Sequence, residues 1–316
     1  MNRTSPYKSN QFLWLVFKLL IVILSGYFIY DILANSAELK FTDFYSKLNE
    51  FDVFSVKNIT FLLFLTIINW ILEIAKWKIL IKRVNNISWF EATKQSLTSL
   101  TFSLITPNRI GEYGAKALYF KKEKRKEILL LNFTGNFYQL VSTTIFGLVG
   151  ILYLIDYFSF SFITLKNTSI LFVGIGVGFL LIHFLQKKFE LVGRWITKVK
   201  DALKLKKNMP VLFLSLLRYV VFSHQFYFLI RIFTIDISYW NAMAGITSMY
   251  LIASLIPMLS IFDFVLKGSV AIFVFSFFEI NPMLILSITT SMWVFNFAFP
   301  AIIGNYFVLQ FKPVKQ

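Results

Sequence analysis

The sequence contains no cysteine and only two histidines, and these absences narrow its chemistry before any motif is considered. Disulfide bonds, thiolate metal sites and cysteine nucleophiles are excluded because each of them requires a thiol group. A metal centre built from imidazoles is also disfavoured, since His183 and His224 lie in different hydrophobic segments. We therefore expect no metal ion and no catalytic thiol.

Sequence signatures of common enzymes are missing as well. The chain has no G-x-S-x-G, no H-E-x-x-H, no P-loop and no G-x-G-x-x-G motif that opens a helix. Its glycine-rich run, residues 174–178, lies inside a hydrophobic segment, where small residues indicate close helix packing. These absences predict a protein that is not an enzyme, with no catalytic residue, no cofactor and no ATP-driven step.

Charge is scarce: 15% of the 316 residues are charged, whereas 57% are hydrophobic, and the mean hydropathy is +0.67. A soluble globular domain is far less hydrophobic than this. Each crossing of a bilayer takes about 20 apolar residues, so the chain provides about six spanning helices and no separate soluble domain. The predicted fold class is therefore all-α, a polytopic membrane helical bundle.

The hydrophobic segments predict six spanning helices, at residues 12–30, 58–81, 128–155, 165–185, 209–235 and 283–309. Two further stretches, 96–120 and 240–280, are interrupted by Pro107 and Pro257. Proline cannot continue the helical hydrogen bonds, and a broken backbone at membrane depth must be surrounded by protein or by a wet cavity. We expect each stretch to be a re-entrant helical hairpin, although two complete spans remain the alternative for 240–280.

The formal net charge of +16 is concentrated between the hydrophobic segments. Basic loops beside spanning helices ordinarily set membrane orientation and contact anionic headgroups, so nucleic-acid binding is not expected. The lysine-rich segments 121–127 and 186–208 are predicted to be cytoplasmic, and the acidic segment 31–57 external. This layout places both termini in the cytoplasm of a multi-pass cell-membrane protein, with 186–208 as an amphipathic helix on the inner leaflet.

The chain is predicted to form a single transmembrane domain, residues 1–316, that contains an internal repeat. The first repeat covers about 58–155 and the second about 209–309, inserted the opposite way up, with the amphipathic segment 186–208 between them. The local sequence also repeats faintly, because Ser-Leu-Ile precedes both interrupting prolines. Inverted repeats with broken helices are typical of secondary transporters, whose substrate sites lie where the repeats meet.

Polar side chains inside the hydrophobic segments are candidate substrate-binding groups, since inserting each charge costs about 2.5–3.5 kcal/mol unless a partner or wet cavity is present. The predicted set is Pro107, Asn108, Arg109, Glu112, Tyr113, Lys116, Asn136, Gln139, Arg218, Asp263 and Lys267. Arg109, Glu112 and Lys116 are spaced to form a ladder of opposite charges on one helix face. A purely structural ion-pair network is an equal alternative for the ladder, and bridging between helices is the alternative for the amides.

Arg218 lies far enough inside its predicted span to require a counter-ion. Asp263, Glu112 and a lipid phosphate are the candidates that the sequence offers. Glu73 and Lys76, three residues apart in an earlier span, are expected only to neutralise each other near the inner interface.

The run from Ser99 to Ala117 resembles the signature of the flippase-like family that includes the transmembrane region of lysylphosphatidylglycerol synthases. That signature is an apolar helix, a proline with a basic residue two positions later, a Gly-Glu or Gly-Asp pair, and then another basic residue. Pro107, Arg109, Gly111, Glu112 and Lys116 occupy those positions here. The resemblance therefore adds Gly111 to the predicted site.

The resemblance has limits that bear on function. Family members usually follow the second proline with a glycine-rich turn, whereas residues 258–262 precede Asp263 and Lys267 here. The soluble domain that attaches the amino acid to lipid in bifunctional relatives is missing from this sequence. The resemblance thus implies movement of a polar lipid between leaflets, without synthesis of that lipid.

Together these features predict a lipid transporter that moves an anionic or aminoacylated phospholipid, or a lipid-linked sugar. Membrane lipid is the expected partner, and a separate lipid-modifying enzyme is a further candidate partner. One alternative is an intramembrane transferase, or an accessory subunit of one, that acts on polyprenyl- or phospholipid-linked substrates. Another is a membrane scaffold without a substrate.

Overall fold

The computed structural model of the chain describes residues 55–104, 109–159, 190–256 and 263–312, with Thr106 and scattered positions between 16 and 51. These residues are mostly helical and include no β-strand. The predicted all-α fold class is therefore confirmed. The predicted spans at 165–185 and, apart from isolated positions, at 12–30 lie outside the described residues.

The helices fall into two sets that a short helix separates. The first set is α1 (Val56–Ile81), α2 (Trp89–Leu104), α3 (Ile110–Leu118) and α4 (Arg125–Tyr157). Helix α5 (Glu190–Ala202) lies within the predicted amphipathic segment. The second set is α6 (Leu205–Ile232), α7 (Tyr239–Leu255), α8 (Asp263–Ser276), α9 (Pro282–Trp293) and α10 (Phe299–Gln310).

In the described part of the chain, four helical stretches are long and apolar enough to cross a membrane. They are Val56–Ile81, Lys122–Tyr157, Leu205–Ile232 and Pro282–Gln310. Four of the six predicted spans are thus confirmed as long apolar helices. The last of them is not a uniform α-helix, because the π-helical turn Val294–Ala298 joins α9 to α10.

Helices α2 and α7 begin with the same local signal, a serine followed by two aromatic residues. The Ser88 hydroxyl accepts a hydrogen bond from the Glu91 amide at 3.1 Å, and the Glu91 carboxylate accepts one from the Ser88 amide at 2.8 Å. This reciprocal capping satisfies two amides that the first helical turn leaves free. The Ser238 hydroxyl likewise accepts a hydrogen bond from the backbone amide of Asn241 at 3.3 Å. The two serines are 150 residues apart in the sequence, as are Pro107 and Pro257.

The first interrupted stretch is two helices joined by a tight break. Arg109 adopts the left-handed conformation, with φ 56° and ψ 25°, which is disfavoured for any residue with a Cβ. The Thr106 hydroxyl donates to the Phe102 carbonyl oxygen at 3.0 Å and accepts from the Gly111 amide at 2.8 Å. The Thr106 side chain therefore ties the end of α2 to the start of α3.

Replacing Gly111 with alanine is expected to destabilise this break. A Cβ at Gly111 would collide with the Phe102 carbonyl oxygen and lie 2.6 Å from Thr106 Oγ1. Overpacking of this kind costs about 1–3 kcal/mol, so the apparent melting temperature of the purified protein in detergent should fall by several degrees. Gly114→Ala is the matched control, because nothing lies within 4 Å of a Cβ built there. Equal melting temperatures for the two variants would contradict the tight break.

The second interrupted stretch is also two short helices that pack against each other. Helix α7 has 17 residues and α8 has 14, whereas a full crossing takes about 20. Pro257 and the rest of the connection, 257–262, lie outside the described residues. Both interrupted stretches are therefore helix pairs in contact rather than continuous helices.

The two sets of helices make matching contacts. In the first set α1 contacts α2 and α4, and α3 contacts α2 and α4. In the second set α6 contacts α7 and α9, and α8 contacts α7 and α9. Helices α1 and α6 pack on each other, and the remaining large contacts cross between the sets, since α2 packs on α10 and α7 packs on α4. The first helix of each pair thus rests on the last helix of the other set.

Glycines permit these crossed contacts. A Cβ at Gly150 in α4 would run into the Thr247 hydroxyl of α7, and a Cβ at Gly304 in α10 would run into the Thr101 hydroxyl of α2. Small residues let helix backbones approach closely, which is the main source of packing energy between helices in lipid. A glycine at the point of closest approach therefore permits both crossed contacts.

Candidate functional site

A cavity of about 590 Å³ lies between the two sets of helices. Helices α1 to α4, α6 to α9 and the π-helical turn all contribute to its wall. Its volume is within the range of roughly 300–1,000 Å³ that is usual for small-molecule sites. The charged residues of the described wall are Glu73, Arg109, Glu112, Lys116, Arg218 and Lys267.

Glu73 is the counter-ion of Arg218. Its Oε2 lies 2.9 Å from an Arg218 guanidinium nitrogen and 2.7 Å from Lys76 Nζ, which ties α1 to α6. Gln139 Oε1 on α4 also accepts hydrogen bonds from Arg218 at 3.3 Å and from Lys76 at 3.5 Å. The predicted pair of Glu73 and Lys76 is confirmed, but the carboxylate does more than neutralise Lys76, because it lines the central cavity and is shared with Arg218.

A chain of side-chain hydrogen bonds continues from Arg218 across the wall. Arg218 Nε donates to Asn69 at 3.0 Å, and Asn69 donates to Asn296 at 2.8 Å. Asn296 then donates to Gln225 at 2.9 Å, and Gln225 donates to Thr66 at 3.0 Å. Asn296 lies in the π-helical turn, so this turn joins the stretch formed by α9 and α10 to the network.

A second charged cluster lies on the first helix pair. Glu112 accepts from Lys116 at 3.1 Å and lies 3.2 Å from the Arg109 guanidinium, so the predicted ladder is formed. Lys116 is 2% exposed, donates to Asn132 at 2.7 Å and lies 4.5 Å from the centre of the Trp77 ring. Arg109 is 48% exposed. Lys116 is thus held inside the protein, whereas about half of the Arg109 side chain is exposed.

The remaining predicted side chains complete the wall. The Asn136 amide donates to the Tyr113 hydroxyl at 3.1 Å, which joins α3 to α4. Lys267 on α8 reaches the wall from the second set, with Nζ 5.1 Å from the centre of the Phe297 ring. The polar groups of both helix pairs therefore face one cavity.

Most of the predicted site is brought together by the fold. The cavity is lined by Arg109, Glu112, Tyr113, Lys116, Asn136, Gln139, Arg218 and Lys267. Gly111 does not line it and serves the break between α2 and α3 instead. Pro107, Asn108 and the side chain of Asp263 lie outside the described residues. The role of these residues in binding stays a prediction.

Glu73, Asn69 and Asn296 are among the polar wall residues that sequence reasoning missed. Each was visible as a polar residue inside a hydrophobic segment, which is the general signal of a buried function in membrane proteins. Their partners on other helices are more than 70 residues away in the sequence, so the sequence alone did not connect them.

Comparison with known protein families gives a match over most of the chain. The family model described as the lysylphosphatidylglycerol synthase TM region matches residues 15–304, nearly the whole chain. The matched range includes every described residue of the cavity wall. No curated protein and no solved structure matches the chain.

Proposed function

Because the chain belongs to the lysylphosphatidylglycerol synthase transmembrane-region family, whose members are membrane proteins tied to lipid metabolism or transport, we propose that this protein moves a polar lipid between the two leaflets of the membrane. The substrate is a phospholipid or a lipid-linked sugar of the cell membrane. The protein performs no covalent chemistry on it. The two helix sets form the two halves of the transporter, and the substrate headgroup occupies the cavity between them.

The observation that carries this proposal is the excess of positive charge in the cavity. Of the six charged residues in its described wall, four are cations and two are carboxylates, a formal excess of +2. Ionised side chains within spanning helices are expensive and normally face a partner or a wet cavity. An anionic lipid phosphate is attracted to this formal excess of positive charge.

Arg109 and Arg218 are the proposed phosphate contacts. They are 48% and 19% exposed, and they approach the cavity from different helix sets. A guanidinium group presents parallel N–H donors that match two phosphate oxygens. Glu112 and Glu73 hold these two guanidinium groups in place at 3.2 Å and 2.9 Å.

The matching contacts of the two helix sets support alternating access to this site. In the proposed arrangement each short helix pair enters and leaves the membrane on one side, the two pairs face opposite sides, and both termini are cytoplasmic. Transporters built from inverted repeats expose a fixed central site by rocking one set of helices against the other. The headgroup would cross inside the cavity while the acyl chains stay in the bilayer.

Arg218→Gln is expected to slow translocation of a fluorescent anionic phospholipid at least about tenfold, a barrier increase of about 1.4 kcal/mol, because the phosphate loses a guanidinium. The assay uses purified protein in vesicles and follows the labelled lipid that becomes accessible to an impermeant quencher. Arg231→Gln is the matched control, since Arg231 is an exposed arginine in the last turn of the same helix.

Two results would reject the proposal. Vesicles with the unaltered protein that move lipid no faster than protein-free vesicles would remove the transport function. A new lipid species formed in those vesicles on addition of a donor would instead establish the transferase alternative. Equal rates for Arg218→Gln and Arg231→Gln would remove Arg218 from the site.

A further inference from the structure

We infer that the cavity selects a phosphate-linked lipid whose headgroup is hydroxylated and carries no ammonium group. Phosphatidylglycerol and sugars linked to lipid through a phosphodiester have this chemistry, whereas aminoacylated lipids do not. The inference rests on the proposed function, because it concerns the same cavity. It chooses between the anionic and the aminoacylated substrates that the sequence leaves open.

Both carboxylates of the described wall are already shared between two cations. Glu73 lies within 2.9 Å of Arg218 and Lys76, and Glu112 lies within 3.2 Å of Arg109 and Lys116. A lysyl or alanyl ammonium group needs an acceptor, and carboxylates are the strongest ones. Binding such a group here would mean displacing a protein cation from one of the two buried carboxylates.

The cations of the wall also oppose an ammonium group directly. Arginine and lysine side chains donate hydrogen bonds and accept none, so they offer an ammonium group only repulsion. Asp263 is the third carboxylate predicted for the site, with its side chain outside the described atoms. Even when it is counted, the four wall cations outnumber the carboxylates. Like-charge contact of this kind is a common source of selectivity against a wrong ligand.

A buried hydroxyl in the wall points to a hydroxylated ligand. Ser96 on α2 is 3% exposed and lines the cavity, and its Oγ has no hydrogen-bond partner among the described residues. A buried polar atom without a partner is unfavourable, which makes a ligand hydroxyl a good occupant.

Neutral hydrogen-bonding groups dominate the rest of the polar wall. They are Asn69, Ser99, Tyr113, Asn136, Gln139, Thr143, Tyr250, Ser254, Thr289 and Asn296. Hydroxyl and amide groups both donate and accept, as the hydroxyls of glycerol and sugars do. Trp70 and Trp293 add broad apolar faces beside them, which suit the carbon skeleton of such a headgroup. The wall therefore matches a polyhydroxylated group beside a phosphate.

Competition between lipids tests this inference. The full-length protein in detergent is equilibrated with equal amounts of phosphatidylglycerol, lysyl-phosphatidylglycerol and phosphatidylethanol, and the bound lipids are counted by native mass spectrometry. Phosphatidylethanol carries the phosphate without a hydroxylated headgroup. We expect phosphatidylglycerol to be bound at least about tenfold more than the lysyl lipid and several-fold more than phosphatidylethanol. Ser96→Ala should reduce the preference over phosphatidylethanol and leave the preference over the lysyl lipid unchanged.

The outcomes are separable from those of the transport assay. Equal or greater binding of the lysyl lipid would overturn the inference, and so would equal binding of phosphatidylglycerol and phosphatidylethanol. Preferential binding of phosphatidylglycerol in a protein that moves no lipid would support this inference while rejecting the proposed function. Adding a glucosyl phosphoprenol to the mixture decides which hydroxylated lipid is preferred, since both share the headgroup chemistry.

Discussion

Glu73→Gln is expected to lower the apparent melting temperature by on the order of 10 °C and to abolish lipid translocation. The change leaves Lys76, 2% exposed, and Arg218 without the carboxylate that both of them contact. Removing one partner of a buried ion pair costs about 3–5 kcal/mol, because the remaining charge stays uncompensated. Thermal unfolding of the purified protein and the vesicle assay measure the two effects.

Two further variants isolate the cause of this effect. Glu127→Gln is the control for loss of a carboxylate, since Glu127 is exposed in the first turn of α4. The double variant Glu73→Gln with Lys76→Gln restores the net charge of the cluster and should recover part of the stability. Translocation should stay lost, because Arg218 still lacks its carboxylate. A single variant that melts like the unaltered protein would show that Glu73 does not stabilise the cluster.

Gly304→Val is expected to separate α10 from α2 and to prevent recovery of the folded protein. A Cβ at Gly304 would collide with the Leu97 carbonyl oxygen as well as with the Thr101 hydroxyl. The carbonyl belongs to the backbone of α2 and cannot rotate away, so the helices must move apart. We expect a loss above about 3 kcal/mol, at the upper end of overpacking costs.

The monodisperse fraction in mild detergent measures this loss. Ile303→Val is the matched control, because Ile303 lies in the same turn and is 54% exposed, so trimming it leaves the contact with α2 untouched. Gly150→Val should have a comparable effect through the equivalent contact of α4 with α7. A folded Gly304→Val protein that still translocates lipid would contradict the close approach of α2 and α10.

The features that the sequence predicted correctly depend on local rules. Helix α1 follows from the apolar run predicted at 58–81, and the first break follows from a proline in a hydrophobic stretch. The contact between Glu112 and Lys116 follows from their spacing of four residues on one helix. Each of these needs only neighbouring residues and the geometry of a single helix.

The features that the sequence did not predict depend on which helix faces meet. Glu73 and Arg218 are 145 residues apart, and nothing in either segment identifies the other as its partner. The π-helical turn that presents Asn296 has no local sequence rule of comparable strength. The crossed contacts through Gly150 and Gly304 were likewise invisible, since a glycine in a spanning helix does not indicate which helix it approaches.

The crossed packing of the two helix sets has a consequence for biosynthesis. During translation the N-terminal set enters the membrane first. The surface of α4 around Gly150 has no packing partner from α7 until α7 has been synthesised. Helix α2 likewise cannot form its contact with α10 until α10, the last helix of the described residues, has been synthesised. Neither set can complete its packing alone. If the chain is divided near α5 and the two fragments are co-expressed, each fragment should be stable only when it is bound to the other.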